Sequence, residues 1–411
     1  MKLLILSHMY PNAMNPVSGI FVHEQAQELV RQGCEVKVVS PIPWSPVPIR
    51  WLKDKWEAYA RIPLRTVRDG IEVYHPRYIA FPRAYFFEYS GWFYYLGIRR
   101  TVEKIHREFS FNIIHAHVAL PDGYGALLAN RVYKKPLVVT IHGLDMATTI
   151  HRNDRCRQCI LEVLEAASRV VCVSSKLRKQ CLGVYDDEAK FEIVSNGISP
   201  DKIVEAPGHL QEKYEGKKVL LTVGWLYRLK GHDYVIRALP EIIERVPELV
   251  YLIVGSGPEE DCLKQLVDQL GLNDYVEFCG RKDYETVMKY MSLCDLFVMP
   301  SWDEGFGIVY LEAMAHGKPI IACQGQGIED VVVDGEAGLL VKPKDLDSLK
   351  EAMMRLLVDR RLAEDMGQRG KRVVLSDFTW EKSAQKLMGI YREVLAEKDE
   401  SLHTDLRTSS F

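Results

Sequence analysis

A parallel α/β architecture of two doubly wound domains is the fold class this chain predicts, and three observations predict it. Short apolar, β-branched runs recur along the 411 residues, each followed by a helical pattern. The runs are apolar throughout instead of alternating, as parallel strands covered on both faces must be. Their rhythm is reset once, near residues 200–216, which divides a chain of this length into two domains.

In the first half the strands are expected at KLLILS (2–7), EVKVVS (35–40), FNIIHAHV (111–118), PLVVTIHG (136–143), RVVCVSS (169–175) and FEIVSNG (191–197). In the second half they are KKVLLTVG (217–224), LVYLIVGSG (249–257), YVEFCG (275–280), DLFVMPS (295–301), PIIACQ (319–324) and GLLVKP (338–343). The polar stretch SPDKIVEAPGHLQEKYEGKK between the halves reads as the linker, placing the domains at 1–200 and 201–376. Residues 396–411, AEKDESLHTDLRTSSF, lack periodicity and are expected to form a disordered tail. Ligands of such sheets bind beyond the carboxyl ends of the strands, so the residues just after each strand are the ones to inspect.

Residues 42–110 break the pattern. They hold sixteen of the forty aromatic residues and twelve Lys or Arg against seven Asp or Glu. Two compatible readings stand: a helical insertion whose aromatics pack on the first domain, or a surface that touches anionic lipid headgroups. Composition narrows the function classes. Lys plus Arg is 53 and Asp plus Glu 56, a net charge of −3, which argues against a surface built for nucleic acid. No stretch of 18 apolar residues exists to span a bilayer. The start, MKLLILSHMYPNAMNP, has an apolar run of only Leu3 to Leu6, so no signal peptide is expected. The nine scattered cysteines suit reduced core thiols in a cytosol. Cys156 and Cys159 form a lone CxxC without a second pair, so no metal site is expected.

The most informative segment is PSWDEGFGIVYLEAMAHGKPIIA (300–322). A strand ends, the turn Asp303-Glu304-Gly305-Phe306-Gly307 follows, and a helix is expected from Ile308 to a stop at Gly317 and Pro319. Glycines 305 and 307 let a ligand approach the backbone, and the helix N-terminus offers N–H groups to an anion. Glu304 and Glu312 place two carboxylates on that side, a pairing suited to vicinal sugar hydroxyls.

Glu304 and Glu312 in EGFGIVYLEAMAHGKPI resemble the E-x7-E motif of the family 4 glycosyltransferases, retaining enzymes of the GT-B fold, with two Rossmann-like domains facing across a cleft. The resemblance extends to Tyr10-Pro11 through Gly19, His142-Gly143, Asn196-Gly197, VGWLYRLKGHDYVIRAL (223–239), VGSGP (254–258) and GQGIEDVVVDGEAGLLVKP (325–343). VSGIFVHEQAQEL and GQGIEDVV look most like the bacterial subgroup that builds cell-wall, capsular and exopolysaccharide chains, including teichuronic acid.

Several roles are implied by that resemblance, beginning with residues 1–200 as the acceptor domain and 201–376 as the nucleotide-sugar donor domain. The donor is a UDP- or GDP-linked hexose, used as co-substrate with no cofactor and no metal. Glu312 would bind the ribose hydroxyls, and Glu304 the sugar hydroxyls, beside Gly305, Phe306, Gly307 and Ile308. Lys230 matches the lysine that neutralises the donor diphosphate. Trp225 stands where the family has an arginine, and Arg228, three residues on, is the expected substitute because an Arg fork binds phosphate bidentately. His142 matches the histidine that approaches the transferred sugar, and Gly19 a glycine at which the backbone meets the donor. For His115 and His117, core packing and acceptor contact are equally open. In this fold the last helix, DFTWEKSAQKLMGIYREVL (377–395), is expected to return to the first domain with Trp380 as anchor.

Breaking the sugar–phosphate bond leaves negative charge on the diphosphate, which Lys230, Arg228 and the helix end at 305–308 would meet. Retention would come from front-face attack with the departing phosphate as base. Asp345-Leu346-Asp347 reads as a helix cap, not a metal motif. The acceptor is expected to be a glycan or lipid-linked saccharide, with the enzyme cytoplasmic and peripheral on the inner face of the membrane. Two rivals remain at this level, a nucleotide-sugar epimerase on the same fold and a non-enzymatic two-lobed sugar-binding protein.

Overall fold

The computed structural model describes residues 1–46 and 54–408. All twelve expected apolar runs are strands, and they fall into two compact units.

The first unit comprises Met1–Ser195 and Trp380–Phe411. Its strands are β1 (Lys2–Leu6), β2 (Glu35–Val39), β3 (Arg65–Arg68), β4 (Ile71–Tyr74), β5 (Ile113–His117), β6 (Leu137–Ile141), β7 (Arg169–Cys172) and β8 (Phe191–Ile193). They lie side by side in the order β8-β7-β6-β5-β1-β2-β4-β3. Every neighbouring pair is parallel except the β3–β4 hairpin. Helices α1 (Ile20–Arg31), α2 (Asp54–Arg61), α3 (Ser90–Phe109), α4 (Tyr124–Tyr133), α5 (Asp154–Ala166) and α6 (Ser175–Leu182) connect them. α1 packs against the C-terminal helix, Trp380–Thr408, whereas α4 packs between α3 and α5. Leu3, Ile5, Val38, Ile113 and Val138 from the sheet form one core with Leu29, Leu387 and Tyr391. Trp380 is buried, its indole N–H donating to the Glu24 carboxylate.

Two expectations are corrected here. Residues 42–110 are not simply helical: β3 and β4 extend the sheet, and Ile42–Pro43 pairs with Arg77–Tyr78. Asp69-Gly70 closes the hairpin with both residues at positive φ, the geometry a two-residue loop between twisted strands needs. The supposed tail from 396 is helical through Thr408. Extending an existing helix adds one hydrogen bond per residue without a new nucleus, and Glu397 pairs with Arg169 at the edge of β7. Residues 409–411 lie outside the described residues.

The second unit is Asn196–Thr379. The linker stretch is part of it: Val204 N–H donates to His316 Nε2 (3.3 Å) and Ala206 N–H to Ser292 Oγ (3.2 Å). Its strands are β9 (Lys218–Val223), β10 (Leu249–Val254), β11 (Val276–Gly280), β12 (Leu296–Val298), β13 (Ile320–Cys323) and β14 (Leu339–Val341), all parallel, in the order β11-β10-β9-β12-β13-β14. α7 (His232–Ile243) packs with α8 (Glu260–Gln269) and α11 (Leu346–Val358). α10 (Ile308–Ala315) packs with α9 (Tyr284–Leu293) and α12 (Arg360–Asp377). Asp345 caps α11 by accepting from Ser348 N–H at 3.0 Å, the role read from its sequence.

In each sheet the chain leaves a central strand in one direction and later returns beside it to run the other way. That reversal lies between β1 and β5 in the first unit and between β9 and β12 in the second. Loops diverge there and open a crevice at the carboxyl ends, the usual ligand position in open α/β sheets.

Candidate functional site

In the second unit the crevice is bridged by charge. After β9 the chain passes Trp225 and Tyr227, which are half exposed, over the buried Leu226, and makes one 3-10 turn, Arg228–Lys230. After β12 it runs through Trp302 to Gly307 and enters α10. Lys230 Nζ and Glu304 Oε2 meet across the reversal at 2.5 Å, both side chains mostly buried. Glu304 is also held through its backbone: its N–H donates to Gln326 Oε1 (2.9 Å), and its carbonyl accepts from Gly327 N–H (3.4 Å).

Gly307, left-handed at φ 88, is the N-cap of α10, and a Cβ there would lie 2.6 Å from the Tyr310 ring. No side chain caps this helix and no acidic residue occupies its first turn, so its leading N–H groups are available to an anion. Glu312 lies one turn further and is buried at 8% exposure, and Phe306 is buried beneath the turn. The structure therefore gathers Lys230, Glu304, Gly305, Phe306, Gly307, Ile308 and Glu312 around the β9/β12 crevice and the start of α10.

Arg228 opens the turn that ends in Lys230 and lines a cavity of about 320 Å³ with His232, Asp233, Arg237 and Glu259, and an adjoining one with Tyr234, Trp302 and Lys344. Neither cavity includes Lys230, Glu304 or Glu312. The cation that reaches Trp225 is Arg281, just beyond β11, with its guanidinium 5.8 Å from the ring centre. Sequence reading missed it because the two residues belong to different strand ends.

The first unit's crevice has a different character. His142 directly follows β6 and lies stacked on His117, with His117 Nδ1 and His142 Nε2 3.0 Å apart. Phe21 of α1 covers His142 at 4.7 Å. Burial pushes His142 down to about 3 and holds His117 well below its ordinary value, so both rings are neutral. His115 is a core residue: it bonds Thr140 Oγ1 and the Tyr391 hydroxyl, each at 2.7 Å, and burial lowers it to about 3. Gly19 has a local reason for being glycine. It is left-handed at φ 64, and a Cβ would sit 2.1 Å from the Met9 carbonyl oxygen.

Three further groups complete this crevice, none of them singled out in the sequence. His8, just after β1, meets Asp122, in the loop after β5: Asp122 Oδ1 accepts the His8 backbone N–H (2.9 Å) and Oδ2 lies 2.5 Å from Nδ1. Burial works against a charged His8 ring, but the Asp122 carboxylate outweighs it and raises the ring's affinity for a proton. Asp145, after β6, accepts from Ala119 N–H (2.9 Å) with Oδ1, and burial pushes it up to about 7. Asp145 Oδ2 and His117 Nε2 are buried with no hydrogen-bond partner. A lone histidine and an aspartate over a hundred residues apart give no spacing signal; position immediately after a strand was the only clue.

Within the aromatic and basic segment 42–110, residues 47–53, with Arg50, Trp51 and Lys53, lie outside the described residues. Lys55 lies over the rings of Trp56 and Tyr59, and Arg61 pairs with Glu57, all on α2. Trp44, Phe81, Tyr85, Phe86, Tyr89 and Trp92 are exposed. Among the described residues no helix is long and apolar enough to cross a membrane. Nor do any three His, Cys, Asp or Glu side chains there gather to hold a metal ion.

Known proteins resemble the chain along nearly its whole length. Residues 18–202 match the family described as Glycosyltransferase Family 4, and residues 210–373 match Glycosyl transferases group 1. The putative teichuronic acid biosynthesis glycosyltransferase TuaC of Bacillus subtilis is 28% identical over 405 residues, covering 96% of this chain and 99% of that protein. Among solved structures, the sucrose-phosphate synthase from Thermosynechococcus elongatus superposes with a TM-score of 0.80 at 23% identity, over 97% of this chain and 100% of that one. HepE of Anabaena, solved with UDP and glucose, gives 0.74 at 18% identity over 96% and 100%.

Proposed function

Because the chain belongs to glycosyltransferase family 4, we propose that it moves a hexosyl unit, with retention, from a nucleoside-diphosphate sugar to a glycan or lipid-linked acceptor in surface polysaccharide synthesis. That premise sets aside the epimerase and the non-enzymatic binding protein. The observation that carries the reading is the Lys230–Glu304 pair at the foot of the uncapped α10, with Glu312 one turn on. Cleavage of the sugar–phosphate bond sends an electron pair to the diphosphate. Lys230 and the first N–H groups of α10 offer the cation and donors that stabilise it. Glu304, relieved of Lys230, then takes sugar hydroxyls, and Glu312 takes the ribose hydroxyls. Arg228, in the same one-turn helix as Lys230, supplies the second cation for the diphosphate. In the first unit Gly19 shapes the loop after β1, and neutral His142 is suited to a sugar hydroxyl, not to phosphate. The UDP in the HepE structure and the name of the Bacillus relative support this class of donor and product.

The test is nucleotide release from a panel of UDP- and GDP-hexoses. One donor turned over by the native protein and not by Lys230→Ala supports the reading; no release from any sinks it. For the membrane, exposed aromatics with Lys55 and Arg61 support reversible attachment to an anionic surface, at about 1 kcal/mol per basic side chain. Co-sedimentation with anionic but not neutral liposomes, weakening as salt rises, is the expected result. Failure to pellet with either at low salt would leave 42–110 as packing alone.

A further inference from the structure

Glu304 has been given the sugar hydroxyls, yet what fixes the direction of its carboxylate comes from the next strand end. The chain leaves β13 at Cys323 and turns through Gln324 and Gly325. Glu329 staples that turn, its Oε1 accepting the Gly325 N–H at 2.8 Å. Gln326 follows, at 7% exposure, against the turn that carries Glu304. Its Oε1 accepts the Glu304 N–H (2.9 Å), and its Nε2 donates to the Gln324 carbonyl (3.3 Å). A donor on one side and an acceptor on the other admit one orientation of the amide. Gly327 continues the contact, donating its N–H to the Glu304 carbonyl at 3.4 Å. A Cβ at 327 would run into the Gly305 carbonyl oxygen, so the two turns meet backbone to backbone. The peptide groups on either side of the Glu304 Cα are thus both held by residues 326 and 327, all within the second unit. The Glu304 carboxylate itself ends on Lys230 Nζ, its side chain 16% exposed.

We propose that Gln326 is the positioning residue for Glu304 and sets how strictly the crevice distinguishes one hexose epimer from another. This rests on the donor reading above, in which Glu304 takes sugar hydroxyls. Epimers differ in the direction of one hydroxyl, and a carboxylate rejects the wrong one only if it cannot swing to follow it. A displacement of about 1 Å would let it do so. With its N–H and its carbonyl both engaged, Glu304 keeps only its side-chain torsions, and Lys230 holds those until the sugar arrives. The nucleotide falls to Lys230, Arg228, Glu312 and the first N–H groups of α10. Gln326 therefore acts on recognition of the sugar and leaves recognition of the nucleotide alone.

The experiment measures binding to the full chain by titration calorimetry and exchange of the Glu304 amide hydrogen by NMR. The probes are UDP, GDP and the UDP- and GDP-linked forms of glucose, galactose and mannose. The variants are Gln326→Leu, which keeps the bulk and loses both hydrogen bonds, and Gln326→Asn, which stays polar but is one methylene too short to reach Glu304. In the native protein the Glu304 amide should be protected, and one nucleotide sugar should bind more tightly than its epimers. In either variant that preference should fall roughly tenfold and the amide should open, with affinity for the bare nucleotide kept within about twofold. Gln326→Asn carries the same expectation should Gln326→Leu not fold. A purely structural role would lower nucleotide and nucleotide-sugar affinities together. That result, an undiminished preference in a folded variant, or the lack of any preference in the native protein overturns the proposal. Failure of every nucleotide and nucleotide sugar to bind would instead overturn the donor reading. An amide that is protected in the native protein and opens in both variants would then mark Gln326 as a prop of the turn alone.

Discussion

The two crevices are built alike and charged differently. Both lie where the chain reverses direction across a parallel sheet, and in both a residue after the first strand meets one after the returning strand. In the second unit the partners are a lysine and a glutamate beside an open helix end, an arrangement that favours an incoming anion. In the first, burial has driven His117 and His142 neutral and raised the Asp145 carboxyl toward neutrality. One fold thus makes an anion site or a hydroxyl site according to which side chains follow its strands, and the difference can be attacked experimentally from either side.

The largest expected effect separates the units by stability. Trp380→Ala removes a buried indole and its bond to Glu24, which should cost the first unit about 3–5 kcal/mol. Calorimetry should show one transition lowered and the second unit's unmoved; equal lowering of both would mean they do not unfold separately. Lys230→Ala should come next, reducing kcat for donor cleavage by roughly 10²–10³, the scale of losing one preorganised charge-stabilising group. A loss under tenfold would remove Lys230 from the leaving-group role. Glu312→Gln should weaken donor binding by about 1–3 kcal/mol, read by titration calorimetry, with the melting transition of the second unit unchanged.

The smallest effect is in pH. His115 and His142 titrate near 3 in the fold and near 6.5 when unfolded. Between those values the unfolded chain binds more protons, so stability is lost as pH falls below about 6.5, by roughly 1.4 kcal/mol per pH unit for each ring. Asp145, raised to about 7, acts in the opposite sense, favouring the fold less as pH climbs from about 4 to 7. Urea unfolding of His142→Gln between pH 6.5 and 4 should show a shallower acid loss than the native protein. An unchanged slope would mean that His142 is charged in the fold.

What the sequence revealed tracks how local each cause is. The twelve apolar strands were legible because burial on both faces demands an unbroken apolar run, whereas Ile71–Tyr74, also parallel to its neighbour β2, was not, because Glu72 interrupts it. The turn and helix at 303–315 and the Asp345 cap were legible because caps and glycines act within a few residues. The β3–β4 hairpin was hidden by its charged edge, RTVR, although Asp69-Gly70 marked its loop. Helix beyond 396 was hidden because it inherits its nucleus from the preceding turns and adds no apolar stripe of its own. Arg281, His8 and Asp122 acquire their meaning only from the order of strands in the sheet, which no short window of sequence contains.

The place of the C-terminal helix has a consequence for how the molecule is made. The second unit is one continuous stretch of chain, whereas the first is closed by Trp380, Leu387 and Tyr391, which come after it. On the ribosome the second unit is therefore complete before the first has its final core element. Until then the face of α1 that ends up under this helix, and the ring of His115 that ends up against Tyr391, are without their native cover. The nascent first unit must wait, partly open, for residues translated after its neighbour has finished.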